Sequence, residues 1–143
     1  MIIYTAGITA QANGTVSLLA NTLKGLLINS TSTIPTQNEE TISTLADFTT
    51  LGELSGTGYA RASVTGLTIT KDTVNKRAVW TWTPVLFSAL NPNNGTVKGF
   101  LLFDDSTQIP ILFDSFTISA NGTAIKVSPN TTNGAVYFKQ KTV

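Results

Sequence analysis

Apolar residues along this chain come in short runs, divided at close intervals by clusters of Gly, Pro, Asn, Ser and Thr. The run Leu26-Leu27-Ile28, opened by Lys24-Gly25 and closed by Asn29-Ser30-Thr31-Ser32-Thr33, has the form of a buried strand leading into a loop. From Tyr59 onward the pattern is uniformly that of strands. Residues 59–64 and 67–71 flank Gly66, a polar turn follows at 72–75, and 77–83 runs up to Pro84, which cannot donate to a central ladder. Val85-Leu86-Phe87 continues on an edge. The turn Asn91-Pro92-Asn93-Asn94-Gly95 delivers a strand at 96–103, with 109–113, interrupted by Pro110, as its hairpin partner or an edge. Residues 116–120 and 123–127 flank Asn121-Gly122 and predict a second hairpin, and 135–139 closes the chain after a loop at 129–134.

The spacing of these strands, with turn signals every eight to twelve residues or so, predicts an all-β fold: a single antiparallel β-sandwich or barrel. One short helix is expected near residues 37–50. There Thr36-Gln37-Asn38-Glu39 has the form of a capping box and Ile42, Leu45 and Phe48 share a helical face, although Thr49, Thr50 and Gly52 weaken it. Residues 1–20 alternate only weakly and read as an extended N-terminal strand or arm. The 143 residues make one domain, since a chain of this length closes around a single core.

Composition sharpens this picture. Charged residues make up 12% of the chain, about half the usual share of soluble proteins, and Thr, Ser and Asn take their place. That exchange favours pleated surfaces and tight turns over helices. The formal net charge is +1 and the basic residues are scattered, so no surface for tracking phosphates is suggested and nucleic acid is not an expected partner. No apolar run is long enough to span a bilayer, and Met1-Ile2-Ile3-Tyr4-Thr5 lacks the basic start of a signal peptide. Synthesis in a cytoplasm, without a membrane partner, is the expectation.

The chain has no His and no Cys, which removes the commonest general base, the commonest transition-metal ligand and the thiol nucleophile. Catalysis would have to rest on carboxylates. Asp104, Asp105 and Asp114 are the candidates, because the strands at 100–103 and 109–113 can bring them to one end, where paired carboxylates bind Ca²⁺ or act as acid and base. Their spacing matches no calcium loop, and they read better as solvated residues at strand ends. Glu39-Glu40 reads as favourable charge at a helix N-terminus. Trp80 and Trp82 lie on one face of a strand, either as a stacking platform for a sugar or as core or interface residues. Asn13, Asn29, Asn94, Asn121 and Asn130 each open a glycosylation sequon, but in a chain this rich in Asn, Gly and Thr they need only be turns. No catalytic residue, metal or cofactor is assigned, and the chain does not read as an enzyme.

The stretch Glu53-Leu54-Ser55-Gly56-Thr57-Gly58-Tyr59-Ala60-Arg61, downstream of Lys24-Gly25-Leu26-Leu27-Ile28-Asn29-Ser30, resembles a family of small virion proteins encoded among the structural genes of tailed bacteriophages. Gly99-Phe100-Leu101-Leu102-Phe103 followed by Pro110-Ile111-Leu112-Phe113-Asp114 is similar to that family's paired strands. The resemblance covers the middle of the chain, not its amino-terminal part or its last strand. It implies a β-rich structural protein of the virion, made in the host bacterium's cytoplasm. The expected role is a capsid decoration or cement subunit, a homo-oligomer (dimer or trimer) bound to the major capsid protein or another virion protein. The alternatives are a minor structural protein of the tail or neck, or a carbohydrate- or receptor-binding module using Trp80 and Trp82. The interface residues expected on this reading are Leu54, Gly56, Gly58, Tyr59 and Arg61. The glycines allow a sharp turn, and Tyr59 and Arg61, two apart, are displayed together. The competing reading makes this turn a loop that feeds a core strand.

Overall fold

The computed structural model describes residues 1–88 and 90–129 and the backbone of 136–139. Its centre is the strand predicted first. β2 (Leu23–Ile28) has no polar residue except Lys24, as befits a strand covered on both faces, and pairs antiparallel with β7 (Thr96–Asp104) on one side and β3 (Ala62–Val64) on the other. β7 in turn pairs with β8 (Pro110–Ser119), and the two-residue β1 (Ile2–Ile3) closes the far edge, for the order β1-β8-β7-β2-β3.

Alternation along β2 assigns the two faces. Leu23 and Leu27 join a large cluster with Phe100, Leu102, Trp80, Trp82, Val85, Phe87 and Ile125. Leu26 and Ile28 join a second cluster with Tyr4, Leu101, Phe103 and Phe113, roofed by Ile34, Ile42, Leu45 and Phe48. Gly25 sits where the ring of Phe100 crosses β2, and a Cβ there would collide with that ring. The first cluster is covered by two small antiparallel sheets. One has the order β10-β5-β4, from Val136–Lys139, Arg77–Thr81 and Thr68–Asp72; the other pairs β6 (Val85–Phe87) with β9 (Ile125–Val127). The fold is all-β and antiparallel, with one short α-helix, as the strand pattern predicts.

Three expectations are corrected in detail. Residues 37–50 form two 3₁₀ turns, Glu39–Thr41 and Leu45–Asp47, in place of a continuous helix. The working capping box is Thr44 with Asp47, whose carboxylate accepts from the backbone N–H groups of Ser43 and Thr44. Those bonds hold the chain in short turns, while Ile42, Leu45 and Phe48 still bury as their spacing suggests. The α-helix instead occupies Thr5–Ala12, within the segment expected to be a strand or arm. It lacks a charged residue and a side-chain cap, so packing holds it: Gly7 lets its backbone lie against β8, where a Cβ would stand 2.8 Å from the Pro110 carbonyl. Finally, residues 116–119 continue β8 alongside β7, with Thr96 opposite Ser119, and β9 pairs with β6. The Asn121-Gly122 turn therefore carries the chain from one sheet to another and does not close a hairpin. Of the last strand expected at 135–139, Val136–Lys139 forms β10, and the loop expected at 129–134 falls, beyond Pro129, outside the described residues.

Candidate functional site

The segment from Glu53 to Arg61 starts back along β2. Glu53 forms a bridge with Ile28, and the Leu54 N–H donates to the Leu27 carbonyl at 3.0 Å, so Leu54 is pinned and buried. The chain then turns: the Tyr59 N–H donates to the Gly56 carbonyl at 3.1 Å, with Gly58 at φ 84. The loop rests on the Asn91–Gly95 turn. Asn94 donates through Nδ2 to the Thr57 carbonyl at 3.0 Å, and its amide fills the space a Cβ on Gly56 would need. Gly56 thus serves a close packing of two turns, and Gly58 supplies the left-handed backbone of the loop.

Tyr59 and Arg61 converge on one carboxylate. The Tyr59 hydroxyl donates to Glu53 Oε1 at 2.8 Å and accepts from the Leu27 N–H at 3.2 Å, while its ring stacks on Phe87 at 6.2 Å between centroids. Arg61 grips the same carboxylate with Nε at 2.8 Å and Nη2 at 2.7 Å, in the bidentate geometry that makes such pairs strong, and its guanidinium lies 5.0 Å over the Phe103 ring. Nη1 reaches Gln108 Oε1 at 3.3 Å. Burial, followed by the charge of Glu53, pushes the Tyr59 hydroxyl well above its ordinary value, and the bonds to Glu53 raise Arg61. At neutral pH the cluster is therefore a fixed ion pair buttressed by a neutral phenol. It ties β2, β3 and the β7–β8 turn together and holds no base free to take a proton. Of the expected interface residues, Leu54 is buried and Tyr59 half-buried, whereas Gly58 and Arg61 reach the surface.

The candidate carboxylates separate. Asp104 is fully buried, and its side chain accepts from Asn21 Nδ2 (2.9 Å), Ser106 Oγ (2.7 Å), Thr107 Oγ1 (2.7 Å) and the Thr107 N–H (2.8 Å). Burial raises this group, but the hydroxyl, amide and backbone donors together outweigh it and hold the carboxyl below its usual value. Asp104 is thus the organiser of the β7–β8 turn, not a solvated strand end. Asp105 pairs with Lys24 at 2.9 Å. Asp114 stands at the Phe100 rung of the ladder, away from the other two, and is exposed. Among the described residues no group of three or more acidic, His or Cys side chains is placed to hold a metal. Glu39 and Glu40 are exposed on their 3₁₀ turn.

Trp80 and Trp82 are buried, 3% and 6% exposed, and meet edge to face at 5.4 Å, with Trp82 stacked on Phe100. Both belong to the core and neither is offered to a sugar. Sequence reasoning missed Glu53 as the hub of the cluster and Asn21 as a partner of Asp104. The spacing Asp104-x-Ser106-Thr107, a carboxylate ahead of two hydroxyls between apolar runs, was the available signal for the turn. Comparison with known proteins finds no family model, no curated protein and no solved structure that matches the chain.

Proposed function

We propose that this chain is a structural subunit of a tailed-phage virion, a decoration or cement protein seated on the major capsid protein of the head. The observation that carries the reading is the segment Glu53 to Arg61, which resembles that family's motif and which the fold uses as a rigid brace across β2, β3 and the β7–β8 turn. The resemblance rests on this motif and the 99–103 and 110–114 strands, not on the whole chain. A subunit that stabilises a shell needs a stiff body, and a loop locked from both sides suits that task. Several of its charged groups are engaged in internal pairs, as in Arg61 with Glu53, Lys24 with Asp105 and Arg77 with Asp72.

On this reading the exposed rim of the brace, Thr57, Gly58 and Arg61, faces the capsid, and Leu54, Gly56 and Tyr59 hold it in shape. The test adds purified protein to particles lacking this subunit. Thr57→Glu, which places a charge on the exposed rim, is expected to melt like the parent and to bind particles at least about tenfold more weakly. Binding equal to the parent's would remove the brace rim from the interface.

A further inference from the structure

Where the roof over the second face of the main sheet stops, an open groove of about 490 Å³ begins, walled by Asn29 and Ser30 and floored by Lys98, Ser115, Phe116 and Thr117. We propose that this groove binds an acidic sugar, its carboxylate on Lys98 and its ring hydroxyls on the surrounding side chains. The inference is independent of the assembly reading.

The polar ends around the groove are uncommitted. Lys98 is half-buried, yet it forms no ion pair among the described residues, and no carboxylate lines the groove. A cation partly withdrawn from water without a counter-ion favours an anion brought from outside. The hydroxyls of Ser30, Ser115 and Thr117 make no hydrogen bond among the described residues, and the Asn29 amide uses only its oxygen, which accepts from the N–H and hydroxyl of Thr31. Hydroxyls that both donate and accept, beside the partly buried Phe116, suit a polyhydroxylated ring better than an inorganic ion.

The groove is also built to keep its shape. β8 carries an extra residue here: Val97 pairs with Ile118 and Gly99 with Ser115, so Phe116 and Thr117 together oppose Lys98 alone. Such a bulge re-aims side chains and interrupts the ladder, which disfavours a peptide strand as the occupant. The wall is fixed by Ser32, whose hydroxyl accepts from the Ile34 N–H, and by Gly52, whose left-handed φ of 60 lets the return strand press against the Ser32 backbone.

The test is a titration of ¹⁵N-labelled protein, followed through its amide spectrum, with glucuronate, galacturonate and N-acetylneuraminate. Glucose, acetate and a short Glu-rich peptide serve as the comparison probes. At least one sugar acid is expected to shift the amides of 29–32, 98 and 115–117 saturably, with glucose, acetate and the peptide each about tenfold or more weaker. Lys98→Met should keep the parent spectrum elsewhere and lose about tenfold or more in affinity, and Ser115→Ala with Thr117→Val should weaken binding with the charge intact. Silence at those amides for every sugar acid would overturn the proposal. So would acetate or the peptide binding as tightly as the best sugar acid, or undiminished binding by a folded Lys98→Met protein.

Discussion

At the scale of single residues, charge placed inside the fold matters more than charge on its surface. Asp104→Ala strands the Thr107 N–H and the Asn21 amide in a buried turn and is expected to cost about 3 kcal/mol. Asp105→Ala removes one partly exposed pair with Lys24 and is expected to cost about 0.5 kcal/mol. Urea unfolding of the two variants measures the contrast, and equal midpoints would refute the buried role of Asp104. Because the Asp104 carboxyl titrates lower folded than unfolded, its contribution is complete above the ordinary carboxylate value near pH 4 and is lost as pH falls toward the folded value. Asp104→Asn should therefore unfold with a shallower dependence on pH below about 4 than the parent does. Tyr59 belongs to the same class: Tyr59→Phe leaves the Leu27 N–H without its acceptor, at about 1 to 2 kcal/mol, and Tyr59→Ala also empties the space against Phe87, at about 3 to 5 kcal/mol. Melting temperatures that leave Tyr59→Ala at the parent's value would show that the residue serves only an outer surface.

At the scale of elements, strands were legible in the sequence and their partners were not. β2, β5, β6 and β7 fall within a residue or two of where runs of apolar and β-branched residues predict them, because each run carries its own burial pattern. Pairing is different. Asn121-Gly122 makes a turn, with the Thr123 N–H on the Asn121 side chain, yet the register of β8 with β7 claims residues 116–119 and sends β9 to β6. The Thr5–Ala12 helix was hidden because its sequence has neither cap nor amphipathic stripe, and the backbone approach at Gly7 that holds it exists only once β8 is in place. The brace was half legible: its glycines and its Tyr-x-Arg spacing are in the sequence, but the return of Glu53 onto β2, which turns them inward, is a tertiary fact. One variant tests the central crossing directly. Gly25→Ala should cost about 1 to 3 kcal/mol by driving a methyl into the Phe100 ring, and Phe100→Leu in the same chain should recover part of that loss. Additive losses in thermal unfolding would contradict the contact.

At the scale of the whole molecule, the open edges bear on assembly. β4 is an edge strand whose residues are nearly all exposed, with Ile69 half uncovered and Val74 on the adjoining turn, and Lys71 is the one exposed charge on it that opposes pairing. Light scattering is expected to report a dimer or trimer, and Ile69→Lys to shift it toward monomer with little change in melting temperature. A parent that stays monomeric at high concentration, free and on particles alike, would contradict this. The proposal that the chain is a building part of a virion is tested by electron microscopy of particles purified from lysates of cells that make it, with the protein's copy number counted by quantitative mass spectrometry. Density that accommodates this fold is expected at symmetry-related positions on the head, in a fixed ratio to the major capsid protein. Particles that are complete and infectious without the chain, with no density for it anywhere on head, neck or tail, would contradict it.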